Sequence, residues 1–196
     1  RVVASFGNIS ASGGVYIGVA AESIVANPGT ITGSIGVILR GNDLSRVFER
    51  IGIRFDTVKS GVYKDILSPD RPLSPEERAL LQELIDSSYG QFVRVVAEGR
   101  SMTEEAVRGF ADGRVFSGEQ AKTLGLVDEL GDEDHARRLA ARLADLDEQT
   151  TRPVTLGRTR KTLMNLLPGS QLIALLQQRL SLELMGSGQV LWLYRP

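Results

Sequence analysis

From Val2 to Ala21 the chain carries no charged residue. A run of that length either crosses a bilayer as a helix or is buried inside a folded domain. Its content decides between the two. Gly7, Gly13, Gly14 and Gly18 are spread through it, with Ser5, Asn8, Ser10 and Ser12 between them. That glycine and polar load suits a buried strand–turn–helix better than lipid. The reading is a strand at 2–6, a turn at Gly7-Asn8, a helix from about 12 to 21, and a second strand at Ser23–Ala26. Asn27-Pro28-Gly29 is a turn signal. The β-branched "TITGSIGVI", 30–38, follows, with two glycines that mark a bend or a close backbone approach.

The next block alternates helix and strand, the pattern of an α/β domain. Asn42 or Asp43 caps a helix to Arg50 with Leu44, Val47, Phe48 and Ile51 on one face, and Gly52 ends it. Ile53 to Val58 alternates apolar and polar as a half-buried strand. Ser74-Pro75-Glu76-Glu77 is a capping box with proline at the first helical position, opening a long helix to about Gly99. A second capping box, Ser117-Gly118-Glu119-Gln120, starts a short helix. "LGLVDELGD", 124–132, reads as turn, short strand and turn, and a helix spans 133–146. The chain thus divides into a domain at 1–145 and, from 146 to 196, a polar linker plus a leucine-rich extension. That extension is read as a helix over 163–184, broken at Pro168-Gly169, with a strand-like tail "GQVLWLYRP".

Composition narrows function. With a net charge of −1 and a pI near 6.0, no basic field argues for nucleic acid. The absence of cysteine removes disulfides, thiolate metal sites and a cysteine nucleophile together. No cluster of metal ligands is apparent, so neither metal nor organic cofactor is expected.

"SASGG", 10–14, places Ser12 where an apolar strand turns into a helix. Such a turn exposes the hydroxyl and aims free helix N–H groups at an incoming carbonyl. The glycines let a substrate backbone approach and leave the Gly13 N–H as an oxyanion donor. A serine hydroxyl still needs a base. The single histidine, His135, lies among charges at a helix start and reads as a solvated surface residue. Arginine stays protonated. Lysine remains, and only Lys59, Lys64, Lys122 and Lys161 exist. Lys161 sits in the linker and Lys122 on a polar helix, whereas Lys59 and Lys64 flank "SGVY" after an apolar strand. Spacing alone does not choose between them, and Asp65 would keep a contacting amine charged.

"ASGGVYIGVAAESIVANPGTITGSIGVI", then "VKSGVYKDILSP" and "GRVFSGEQAKTLGLVDELG", resembles the signal peptide peptidase SppA (protease IV) family over about residues 2–145. The resemblance implies a ClpP/crotonase-like fold of repeated strand–strand–helix units, a serine/lysine dyad and digestion of cleaved signal peptides and other unfolded hydrophobic peptides. By position in the motifs it makes Ser12 the nucleophile, Lys64 the general base and Ser34 the serine that hydrogen-bonds the lysine, with Gly13, Gly14 and Tyr16 at the oxyanion and substrate site. Val15 stands where a tyrosine is usual and Ser10 where alanine is common. The family's upstream glycine-rich segment, which supplies another oxyanion donor, and its N-terminal membrane anchor would precede Arg1.

The resemblance further implies a membrane-associated bacterial enzyme, its catalytic domain on the extracytoplasmic side, assembled as a homo-oligomer. The apolar tip Trp192, Leu193, Tyr194 is expected to pack on a neighbouring subunit or lie in the cleft. Two readings compete: a non-proteolytic peptide-binding or scaffold relative on the same fold, and a relative that cuts membrane-protein tails or phage scaffold proteins.

Overall fold

A computed structural model describes residues 1–154 and, as backbone, Leu191–Trp192. The chain forms two compact units. The first joins Arg1–Ile35 to the chain from Val93 onward, and the second is Gly36–Phe92.

The first unit is built from crossed strand pairs. Strands β1 (Val3–Phe6) and β3 (Ser23–Ala26) run parallel in one sheet, with Val3 opposite Ser23. Strands β2 (Ile9–Ala11) and β4 (Ile31–Gly33) run parallel in the other, with Ala11 opposite Gly33. Each strand–turn–strand step therefore passes from one sheet to the next, and helix α1 (Gly13–Gly18) follows β2. The uncharged run is thus strand, strand and helix. No helix among the described residues is long and apolar enough to cross a membrane.

The predicted β1, β3 and Asn27 turn are observed, the turn closed by the Thr30 N–H donating to the Asn27 carbonyl at 3.0 Å. The first helix is shorter than expected. It stops at Gly18, where a Cβ would lie 2.4 Å from the Phe6 ring, so the helix is held close against β1. The first sheet is completed by β6 (Glu129–Leu130), parallel to β3, and by Leu191–Trp192 (β7), antiparallel to β1. The backbone of Trp192 therefore pairs within its own chain. The expected helix at 163–184 and the rest of the tail lie outside the described residues. Helix α6 (Glu133–Leu143), capped by Asp132, lays Ala136, Leu139 and Ala140 on Val3 and Val25 to form a core cluster. Alanines on that face let the helix approach the sheet closely.

Both capping boxes are present. The Ser117 hydroxyl accepts from the Gln120 N–H at 3.1 Å, opening α5 (Gly118–Thr123). The Ser74 hydroxyl accepts from the Glu77 N–H at 3.2 Å, and the Glu77 carboxylate accepts from the Ser74 N–H at 2.9 Å. They open α3 (Pro75–Gly99). Beside β2, two further elements were not anticipated. These are α4 (Glu104–Arg108), capped by Thr103, and β5 (Val115–Ser117), which pairs antiparallel with β4.

In the second unit, α2 (Ser45–Arg50) begins where Asp43 accepts the Ser45 N–H at 3.0 Å. Its expected apolar face is not covered: Val47 is 52% exposed and Ile51 62%. The strand expected at Ile53–Val58 does not form. A two-residue alternation specifies a strand only where a sheet edge accepts it, and none does here. Phe55 contacts Phe48 edge-on instead, and Val58 is 97% exposed.

Candidate active site

Ser12 stands at the junction of β2 and α1 with φ 52° and ψ −112°, a backbone that side-chain-bearing residues rarely adopt. Two backbone hydrogen bonds hold it. Its N–H continues the parallel ladder, donating to the Gly33 carbonyl at 2.8 Å. Its carbonyl accepts the first helical bond, from the Tyr16 N–H at 3.0 Å. Its hydroxyl is not spent on capping the helix it starts. The chain therefore turns sharply and presents Oγ at the sheet end. Gly13 and Gly14 open the helix, so their N–H groups have no intrahelical acceptor. A Cβ on Gly13 would meet nothing within 4 Å, which leaves open space beside Ser12. Tyr16, half-buried, lies one turn on.

Ser34 occupies the corresponding position after β4. Because Ala11 and Gly33 are register partners, Ser12 and Ser34 leave neighbouring parallel strands at the same end, strands that lie about 4.8 Å apart. Ser34 is also left-handed, with φ 51°. A hook that sequence reasoning missed fixes it. Ser34 N–H donates to the Arg114 carbonyl at 2.7 Å, and Gly113 N–H donates to the Ile35 carbonyl at 3.1 Å. Asp112 shapes that turn: it accepts the Arg114 N–H at 3.1 Å and its Nε at 2.8 Å. The Arg114 guanidinium lowers the Asp112 carboxyl to about 2. The available signal was Asp112-Gly113, a turn dipeptide, with Gly113 at φ 89°.

Lys64 lies in the second unit, on an exposed turn held by its N–H donating to the Gly61 carbonyl at 3.2 Å. The turn separates the two candidate lysines. Lys59 Nζ donates to Asp65 Oδ1 at 2.6 Å and to the Val62 carbonyl at 3.1 Å, so its charge is committed. Lys64 enters none of the turn's ion pairs. Asp65, which could have held Lys64 charged, instead receives Arg71 and Lys59, and these hold its carboxyl well below the usual range. His135 is engaged elsewhere, its Nε2 2.6 Å from Glu129 Oε2 at β6.

Comparison with known proteins supplies the family. The model of peptidase family S49 matches residues 1–147. A protein of Synechocystis sp., named only as a candidate protease, is 54% identical over 204 aligned residues that cover all of this chain and 74% of its own. A candidate signal peptide peptidase SppA of Enterococcus faecium is 45% identical over 130 residues, 66% of this chain and 38% of its own. Protease 4 of Salmonella typhi is 42% identical over 147 residues, 75% of this chain and 24% of its own. This chain thus spans most of the first relative and well under half of the other two. Scaffold and similarity together define an α/β serine peptidase of ClpP/crotonase-like fold. The chain belongs to peptidase family S49.

Proposed function

We propose that this chain is an endopeptidase with a Ser12/Lys64 dyad. Its substrates are cleaved signal peptides and other unfolded hydrophobic peptides at the membrane. Ser12 Oγ attacks the peptide carbonyl carbon while the neutral Lys64 amine takes its proton. The Gly13 N–H holds the oxyanion. Collapse breaks the C–N bond, and the Lys64 ammonium returns the proton to the leaving amine. Water, deprotonated by Lys64, then releases the acyl group and restores Ser12. Ser34 orients the lysine amine by a hydrogen bond that adds no charge, and Gly14 and Tyr16 line the path of the substrate chain.

The observation that carries this reading is the left-handed Ser12 at a strand end, its hydroxyl uncommitted to capping, with Ser34 in register beside it. Lys64, outside the turn's ion pairs, beside a committed Lys59 supports the choice of base. The Enterococcus relative, named for signal peptides, supports the substrate class. The same reading makes the enzyme a membrane-associated bacterial homo-oligomer acting on the extracytoplasmic side.

The test is hydrolysis of unfolded hydrophobic peptides by the wild type, Ser12→Ala and Lys64→Ala across about pH 6–10, because only a neutral amine can accept the serine proton. Both substitutions are expected to lower kcat by at least about a thousandfold, and the wild-type rate to rise with pH through one ionisation. An active Lys64→Ala variant would move the base to Lys59. A wild type inert on every such peptide would favour the non-proteolytic scaffold reading.

A further inference from the structure

Arg71 takes no part in the motifs that define the site, yet its guanidinium grips two carboxylates at once. Nε donates to Asp65 Oδ2 at 3.1 Å and Nη2 to Asp65 Oδ1 at 2.8 Å. Nη1 donates to Glu77 Oε2 at 2.8 Å, and Nη2 to Glu77 Oε1 at 2.5 Å. The remaining reach goes to the carbonyls of Pro72 at 3.3 Å and Asp65 at 3.4 Å. The fork thus joins the residue directly after Lys64 to the third residue of α3, whose carboxylate is only 4% exposed and also closes the capping box.

Within this ion-pair group charge is balanced. Lys59 and Arg71 oppose Asp65 and Glu77, two cations against two anions. The neighbourhood also holds Tyr63, Asp70, Glu76 and Arg78. Asp70 is bound by the Ser68 hydroxyl, and Glu76 by the Ser74 hydroxyl at 2.9 Å. Lysine could not replace this fork. It is a single point charge, whereas the planar guanidinium addresses two carboxylates with paired bonds.

We infer that Arg71 is a positioning residue for Lys64: it fastens the Lys64 turn to the start of α3 and cancels the charge of the carboxylate on the next residue, Asp65. The inference rests on Lys64 being the general base. Two effects follow and can be separated. Arg71→Lys keeps the charge and loses the fork. Arg71→Gln loses both, and the remaining group of Lys59, Asp65 and Glu77 carries one net negative charge that favours the protonated amine.

The experiment is the pH dependence of kcat and KM on an unfolded peptide for the wild type, Arg71→Lys, Arg71→Gln and Lys64→Ala. Arg71→Lys is expected to lower kcat about tenfold, as a misplaced reacting group does, with KM and the position of the pH profile kept. Arg71→Gln is expected to lower kcat as well and to move the rise in rate upward by about 0.5 pH unit, the order expected for one nearby screened charge. A role confined to stability would reduce the amount of active enzyme without moving the profile. Wild-type kcat and profile in Arg71→Gln, with Lys64→Ala inactive, would overturn the inference and leave the dyad standing. Wild-type activity in Lys64→Ala would overturn the dyad itself. Should Arg71→Gln fail to fold, Arg71→Lys decides, and a wild-type kcat there overturns the inference.

Discussion

Ser12 occupies a backbone conformation, φ 52° and ψ −112°, that glycine adopts with little cost and serine does not. Such strain is worth about 1–3 kcal/mol where surrounding structure enforces it. Glycine adds unfolded-state entropy that costs about 0.5–1 kcal/mol. The strain is the larger quantity, so Ser12→Gly is expected to stabilise the fold by about 1 kcal/mol while abolishing peptide hydrolysis, measured by chemical denaturation beside the activity assay. A destabilised Ser12→Gly would mean that the bend is not strained. The opposite change one strand over is expected to fail. Gly33 has φ 80°, and a Cβ there would lie 2.6 Å from the Phe116 ring and 3.0 Å from the Arg114 carbonyl oxygen. Gly33→Ala is expected to cost about 2 kcal/mol, from the disfavoured φ and the crowding together. It would also disturb the carbonyl that receives the Ser12 N–H.

At the scale of elements, legibility followed the range of the interactions. The starts of α3 and α5 could be read because Ser74 with Glu77, and Ser117 with Gln120, satisfy one another within four residues. The three-residue strands β2 and β5 could not, because their partner β4 is distant in sequence and each is too short to show a period. Ser12 was legible as local chemistry. Its alignment with Ser34 was not, since only the Ala11–Gly33 register creates it. Arg71 was equally hidden, because a turn and a helix start bring its two carboxylates together.

The start of α3 also carries a pH dependence. Hydrogen bonds from Arg71 lower the Glu77 carboxyl to about 2, against about 4.3 in an unfolded chain. Its stabilisation is therefore complete above pH ~4.3 and disappears as pH falls towards 2. Thermal unfolding at pH 5 and pH 2.5 should show a larger fall in Tm for the wild type than for Glu77→Gln. Parallel falls in the two proteins would show that Glu77 binds its proton equally in both states.

The two units manage their apolar surface differently. The first encloses Val15, Ile24, Val25 and Leu126 completely. The second buries no residue of α2 and leaves Ile51 62% and Val58 97% exposed. Residues 53–58 keep the alternation of a strand without a sheet edge to join. An apolar, strand-patterned surface left open by the described residues is suited to cover by another copy, as the proposed homo-oligomer requires. Because these side chains contribute little to the chain's own core, Ile51→Asp with Val58→Asp should cost the isolated chain only about 0.5 kcal/mol per site. A charge placed in a subunit contact would be far less tolerable. Sedimentation is therefore expected to show a smaller species for the double variant, with the circular dichroism spectrum kept. A wild-type assembly size in that variant would place the subunit contact on another surface. A lost spectrum would mean instead that the two side chains support the fold of their own chain, contrary to their exposure.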